Sequence, residues 1–194
     1  MNYQSVQLNQ KLLNSIFIDP EIKDGDINEM YIPHSEIFNL NPILEASKSI
    51  CKIITPEGQG SGFLIKLFKR NEDFFCLMTN EHVITKFMID KEDIINIYYN
   101  EEKSNIKISL NPNERIIEIF THIGIDLSVV EILFTDLIST KFFLTPSIYY
   151  MENYAKLKYQ NITIIQFPKG KFGFSNGKIE DIEIYKFSYS ASTD

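Results

Sequence analysis

The sequence predicts an all-β protein behind a short helical lead-in, and three observations carry that expectation. From Ser49 onward the chain is a series of short apolar runs rich in Ile, Phe, Tyr and Thr. Gly, Pro, Asn and Asp punctuate those runs at close intervals, which is the pattern of a sandwich or barrel. Two of the runs, Gly62–Phe68 and Phe74–Thr79, flank a polar bend and read as a hairpin. Its outgoing strand runs into the polar stretch Thr79-Asn80-Glu81-His82.

Before Ser49 the texture differs. Leu12, Leu13, Ile16 and Phe17 recur at helical spacing until Asp19-Pro20 stops the pattern. The expected element is an amphipathic helix packed on the strands, with a cleft-blocking pro-segment as the alternative. Residues 20–40 are charged and broken by Pro33, so they read as a surface strap that includes His34. Asn41-Pro42 predicts a helix start, Asn as cap and Pro in the first turn, with the helix running over Ile43–Ser47.

Seven strands are then expected: Ile50–Ile54, Gly62–Phe68, Phe74–Thr79, Ile94–Tyr98, Ile106–Leu110, Glu114–Phe120 and Leu127–Leu133. Gly58, Gly60 and Gly62 suit a bent corner where a Cβ would clash. A second group of strands follows. The stretch Asp136–Lys158 reads as a linker and a first strand, and Ile162–Phe167 as a strand closed by a Pro168-Lys169-Gly170 turn. Asn176-Gly177 predicts a tight type I′ turn, and Lys178–Lys186 a further strand or two. Three regions result: 1–48, the helix and strap; 49–135, the first strand group; and 136–194, the second.

Composition removes some functions. Acidic residues outnumber basic ones 26 to 19, a balance of −7, and a phosphate backbone needs the opposite sign, so no nucleic-acid partner is expected. The three histidines and two cysteines show no ligand spacing, so no metal and no cofactor are expected. Cys51 and Cys76 lie in apolar runs and read as buried free thiols. The N-terminus lacks the charged start and apolar core of a secretory signal, and no apolar stretch approaches a membrane span. A cytoplasmic location is the default expectation, with secretion by another route as the alternative.

Two residues are the candidates for chemistry, each with a plainer alternative, His82 as an ordinary polar residue after a strand and Asp126 as a turn residue. A histidine at a strand end has its backbone fixed by the ladder while its ring reaches outward, which suits a general base. In Ile125-Asp126-Leu127-Ser128-Val129-Val130 an acid opens an apolar strand, a costly position unless a donor meets it. An imidazole N–H is such a donor. His82 and Asp126 lie 126 − 82 = 44 residues apart. His122 is the competing base and Asp136, expected in a loop, the competing acid.

Gly60-Ser61-Gly62-Phe63-Leu64-Ile65 followed by Leu77-Met78-Thr79-Asn80-Glu81-His82-Val83-Ile84 resembles the chymotrypsin/trypsin-like serine peptidase family around its catalytic histidine. The likeness is to the bacterial-type, Glu-peptidase-like branch. Asp126-Leu127-Ser128-Val129-Val130 resembles the family's catalytic-Asp motif, and the order His then Asp agrees. The resemblance implies a trypsin-like double β-barrel, with 49–135 as the first barrel and 136–194 as an incomplete second one. It implies His82 as general base, Asp126 as its orienter, a polypeptide substrate and no cofactor. Where extracellular members often carry Cys after the histidine, this chain has Val83, which favours a reducing compartment.

The family's Gly-x-Ser-Gly nucleophile segment is missing from the 194 residues. Phe187–Asp194 resembles the residues just upstream of it, which puts the serine a few positions past Asp194. Ser188, Ser190 and Ser192 are not followed by glycine and are not expected to replace it. The expectation is a serine endopeptidase whose 194 residues do not cleave peptides alone, the alternative being a protease-like binding or scaffold domain.

Overall fold

The computed structural model describes residues 40–69, 72–121, 125–146, 154–182 and 187–191. The expected helix around Leu12–Phe17, the strap with His34, and His122 and Ser192 lie outside those residues.

The described chain starts in a short helix, α1 (Asn41–Ser47), with Pro42 in its first turn, where the missing N–H is not needed. The cap position is Leu40 rather than Asn41, and no side chain caps it. What holds so short a helix is tertiary packing. Ile43 and Ala46 bury against Ile50, Ile165 and Phe167.

Seven strands then form one antiparallel sheet: β1 (Ile50–Thr55), β2 (Gly58–Lys69), β3 (Glu72–Thr79), β4 (Ile94–Tyr99), β5 (Ser104–Ser109), β6 (Ile117–Phe120) and β7 (Leu127–Glu131). The sheet order is β5-β4-β1-β2-β3-β7-β6. It curls into a half-barrel. The curl shows in the core, because Ile108 of β5 and Ile117 of β6, from opposite edges, pack in one apolar cluster. Alternate residues supply that interior: Cys51 and Ile53 from β1, Ile95 and Ile97 from β4, Leu64, Leu77 and Val130 from β2, β3 and β7. The outer face of β2, β3 and β7 is also covered, by a second cluster of Ile65, Cys76 and Val129 against Leu144. Two buried faces explain why Phe63–Leu67 and Phe74–Met78 read as nearly continuous apolar runs, while Phe68 beyond them is exposed.

A helix the sequence pattern did not disclose, α2 (Lys86–Asp90), follows the histidine segment, with the Thr85 hydroxyl accepting the Met88 N–H at 3.3 Å. It drives Met88 into the half-barrel beside Val83 and Ile84. β6 starts at Ile117 and not at Glu114, since Asn111–Glu114 closes into a turn through Asn113 N–H to Asn111 Oδ1 at 2.9 Å.

The second group is a smaller sheet, order β10-β9-β8, of β8 (Asn161–Gln166), β9 (Gly173–Ile182) and β10 (Phe187–Tyr189). Among the described residues of 136–158 no strand forms. The chain there makes a 3-10 turn at Thr140–Phe142, a single bridge of Leu144 to Ile65, and another 3-10 turn at Tyr154–Leu157. The turn expected at Asn176-Gly177 is also absent. Both residues sit inside β9, paired with Thr163 and Ile162 of β8. The Thr163 hydroxyl holds Asn176 Oδ1 at 2.7 Å, which keeps the strand extended through the pair. Gly177 is there for room: a Cβ would lie 2.4 Å from the Ala191 backbone nitrogen. The turn at Pro168–Gly170 is present, with Gly170 at a φ of 76°.

Among the described residues no helix is long and apolar enough to cross a membrane. The two sheets meet through α1, Ile165 and Phe167, and through the Phe167 N–H donating to Ser61 Oγ at 2.8 Å.

Candidate active site

His82 and Asp126 come from segments held together by the β3–β7 ladder. Thr79, the last residue of β3, pairs with Ser128 of β7. The chain beyond Thr79 and the chain before Leu127 therefore leave the same end of the sheet side by side. After β3 the backbone turns, with the Asn80 carbonyl accepting the N–H of Val83 at 3.1 Å and of Ile84 at 3.3 Å. The turn buries Val83 and Ile84 and leaves His82 outside. Two hydroxyls brace it. Thr79 Oγ1 donates to the Ser61 carbonyl at 2.7 Å, and buried Ser128 Oγ donates to the Ile84 carbonyl at 2.8 Å.

Two of the three glycines of β2 belong to this arrangement, whereas a Cβ on Gly58 would meet open space. Gly60 and Gly62 lie within the strand, opposite Ile53 and Cys51. A Cβ on Gly60 would meet the Val83 methyls at 2.5 and 2.6 Å, and one on Gly62 would lie 2.8 Å from the Met78 carbonyl oxygen. Their bareness lets the histidine turn and β3 press onto β2.

At the centre, His82 Nδ1 lies 2.6 Å from Asp126 Oδ2. The His82 backbone N–H donates to Asp126 Oδ1 at 3.1 Å, and Asn80 Nδ2 donates to Oδ2 at 3.0 Å. A carboxylate only accepts, so the proton in the short contact sits on Nδ1 and a neutral ring keeps its lone pair on Nε2. Burial alone would raise the Asp126 carboxyl. The donors from Asn80 and from the His82 ring and backbone outweigh it and hold the carboxyl below the usual carboxylate range. The pair is open to solvent, the His82 side chain 68% and the Asp126 side chain 43% exposed. It sits on a rim, not in the core, with the imidazole free to meet a reactant.

The other candidates fall elsewhere. Asp136 sits in a 3-10 turn (Phe134–Asp136) as the partner of buried Arg115, with Nη1 to Oδ2 at 2.9 Å and Nη2 to Oδ1 at 3.2 Å. It also accepts the Leu133 N–H at 2.7 Å. Its lone pairs are engaged in holding the chain after β7, so it does not compete with Asp126. Ser190 is fixed on β9, its hydroxyl oxygen taking the Lys178 N–H at 3.0 Å. Ser188 lies in β10. Cys51 and Cys76 are free and buried. Burial pushes the Cys76 thiol up to about 12 and the Cys51 thiol higher still, so neither supplies a thiolate. Among the described residues no group of three or more His, Cys, Asp and Glu side chains gathers to hold a metal ion.

Asn80, Thr79 and Ser128 escaped the sequence reading as members of the site. The signal for Asn80 was its place in the polar stretch that ends on His82. Thr79 and Ser128 stand in the two segments that carry the resemblance, but nothing local said what their hydroxyls would hold.

No protein-family model matches the chain, and no curated protein matches it. The case for function therefore rests on the site itself.

Proposed function

We propose that His82 and Asp126 are the base and the orienter of a serine-peptidase relay, carried on a trypsin-like first barrel. The observation that carries the reading is the 2.6 Å contact between Nδ1 and a carboxylate brought from 44 residues away. In this reading a seryl hydroxyl meets Nε2 and loses its proton to the ring as its oxygen attacks a peptide carbonyl carbon. Asp126 stabilises the imidazolium, which returns the proton to the departing amine. Water then repeats the sequence on the acyl-enzyme. The relay also needs a serine and most of the oxyanion donors, which a Gly-x-Ser-Gly segment would supply and the 194 residues do not hold. The substrate is a polypeptide.

A fluorophosphonate probe tests this on two forms, the 194 residues and the chain extended by the codons that follow Asp194. The expected result is no labelling or proteolysis by the first and labelling of the extended form at one serine, abolished by His82→Ala. An extended form that stays unlabelled, or a label that survives His82→Ala, contradicts the relay. It would leave the second reading, a protease-like domain that binds peptides without cutting them.

A further inference from the structure

We propose that Asn80 is the positioning residue of this site, its carboxamide holding the Asp126 carboxylate in the plane where it meets the His82 ring. The inference rests on the reading of His82 and Asp126 as base and orienter, and it adds what keeps that pair aligned. An aspartate carboxylate turns about its last torsion over broad, roughly two-fold wells. Nearly half of this one faces water. The His82 backbone N–H fixes Oδ1, but a single bond leaves the group free to swing about that oxygen. The ring cannot serve as its own anchor, because it is the group that the carboxylate has to orient. Asn80 can. Its Nδ2 reaches Oδ2, the same oxygen that takes the ring Nδ1, and an amide neither titrates nor leaves.

Asn80 is also well placed to hold still. Its own carbonyl closes the turn, taking the N–H groups of Val83 and Ile84. One residue thus sets the turn that presents His82 with its backbone, and the carboxylate that orients His82 with its side chain. Changing the side chain leaves the backbone part intact, so the two roles separate by mutation.

The test is the solvent-exchange rate of the His82 Nδ1 proton, followed by ¹H–¹⁵N NMR in the native chain and in Asn80→Ala, Asn80→Leu and Asp126→Asn. Amide spectra report whether each variant keeps the fold. Both Asn80 variants are expected to speed exchange by about tenfold, the scale of one charge-assisted hydrogen bond. Asp126→Asn should remove the protected signal altogether. An Asn80 variant that keeps the fold and the native exchange rate overturns the positioning role while leaving the pair intact. A native chain without a protected Nδ1 proton, or one indifferent to Asp126→Asn, overturns the pair itself and the proposal with it. Unfolding of both Asn80 variants also overturns it, since the amide would then serve the fold and not the carboxylate.

Discussion

The seven-stranded sheet and the three-stranded sheet are built from the same kinds of residue, yet they bury them to different depths. The larger sheet curls until its two edge strands share an interior, and β2, β3 and β7 are covered on their outer face as well. The smaller one has an interior of Ile162, Ile164 and Ile179, and β10 adds only three residues to it. The His–Asp pair stands on the larger sheet, where the backbone beneath it is fixed from both faces. Rigidity under an exposed pair is what general-base chemistry asks of a scaffold. The smaller sheet carries neither residue of the pair.

The largest expected effect comes from emptying the two interiors. Ile97→Ala in β4 should cost about 3–5 kcal/mol, and Ile164→Ala in β8 about 2 kcal/mol, because a thin cluster collapses around a cavity more easily than a closed one. Chemical denaturation of both variants checks the difference, and equal losses would mean the small sheet is as firmly packed as the large one. Next comes the buried ion pair that anchors the chain after β7. Arg115→Met leaves the Asp136 carboxylate uncompensated and should cost about 3–5 kcal/mol. Asp126→Asn, at a solvent-exposed pair, should cost under about 1 kcal/mol. The same denaturation series reads both.

A matched pair of glycine substitutions sharpens the contrast. Gly62→Ala forces a Cβ against the Met78 carbonyl inside the large sheet and should cost about 1–3 kcal/mol. Gly177→Ala forces one against the Ala191 backbone, so the chain after β10 has to move away from β9. That gives up packing of Phe187 and Tyr189 on the small interior and should cost about 1–3 kcal/mol, with amide exchange rising first in Phe187–Tyr189.

The smallest effect is on pH. The Asp126 carboxyl is held below its ordinary value when folded, so its contribution to stability is present above about pH 3.9, the unfolded value, and fades as pH falls through the folded one. Asp126→Asn should flatten the acid limb of the stability curve slightly. A steeper limb would reverse the sign of the argument.

These contrasts also mark what could be read from residues alone. The strands of 49–135 were legible because apolar runs and turn residues agree there, and the ends shifted where other bonds decide, a local turn at Asn111–Glu114 and the ladder to β1 that brings Gly58–Ser61 into β2. His82 and Asp126 were legible as a pair through the resemblance of the segments around them, Thr79–Ile84 and Asp126–Val130, and their order, since a polar residue at the mouth of an apolar run is ordinary by itself. Asn176-Gly177 misled because its turn preference is local, while pairing with β8 and the approach of Ala191 are not. The turn after β3 was half legible. Its histidine stood out, but Thr85 as a cap and Gly60 as the floor under Val83 depend on what lies across the sheet. The 3-10 turn at Phe134–Asp136 was hidden because its anchor, Arg115 to Asp136, joins residues 21 apart.

The central claim is that a carboxylate dictates which nitrogen of His82 carries the proton. The ¹⁵N shifts of the two ring nitrogens, read in long-range ¹H–¹⁵N spectra at a pH where the ring is neutral, measure this directly. The account predicts a protonated Nδ1 and a bare Nε2 in the native chain, with the preference lost in Asp126→Asn. A native ring protonated at Nε2, or one whose tautomer ignores Asp126→Asn, would contradict it.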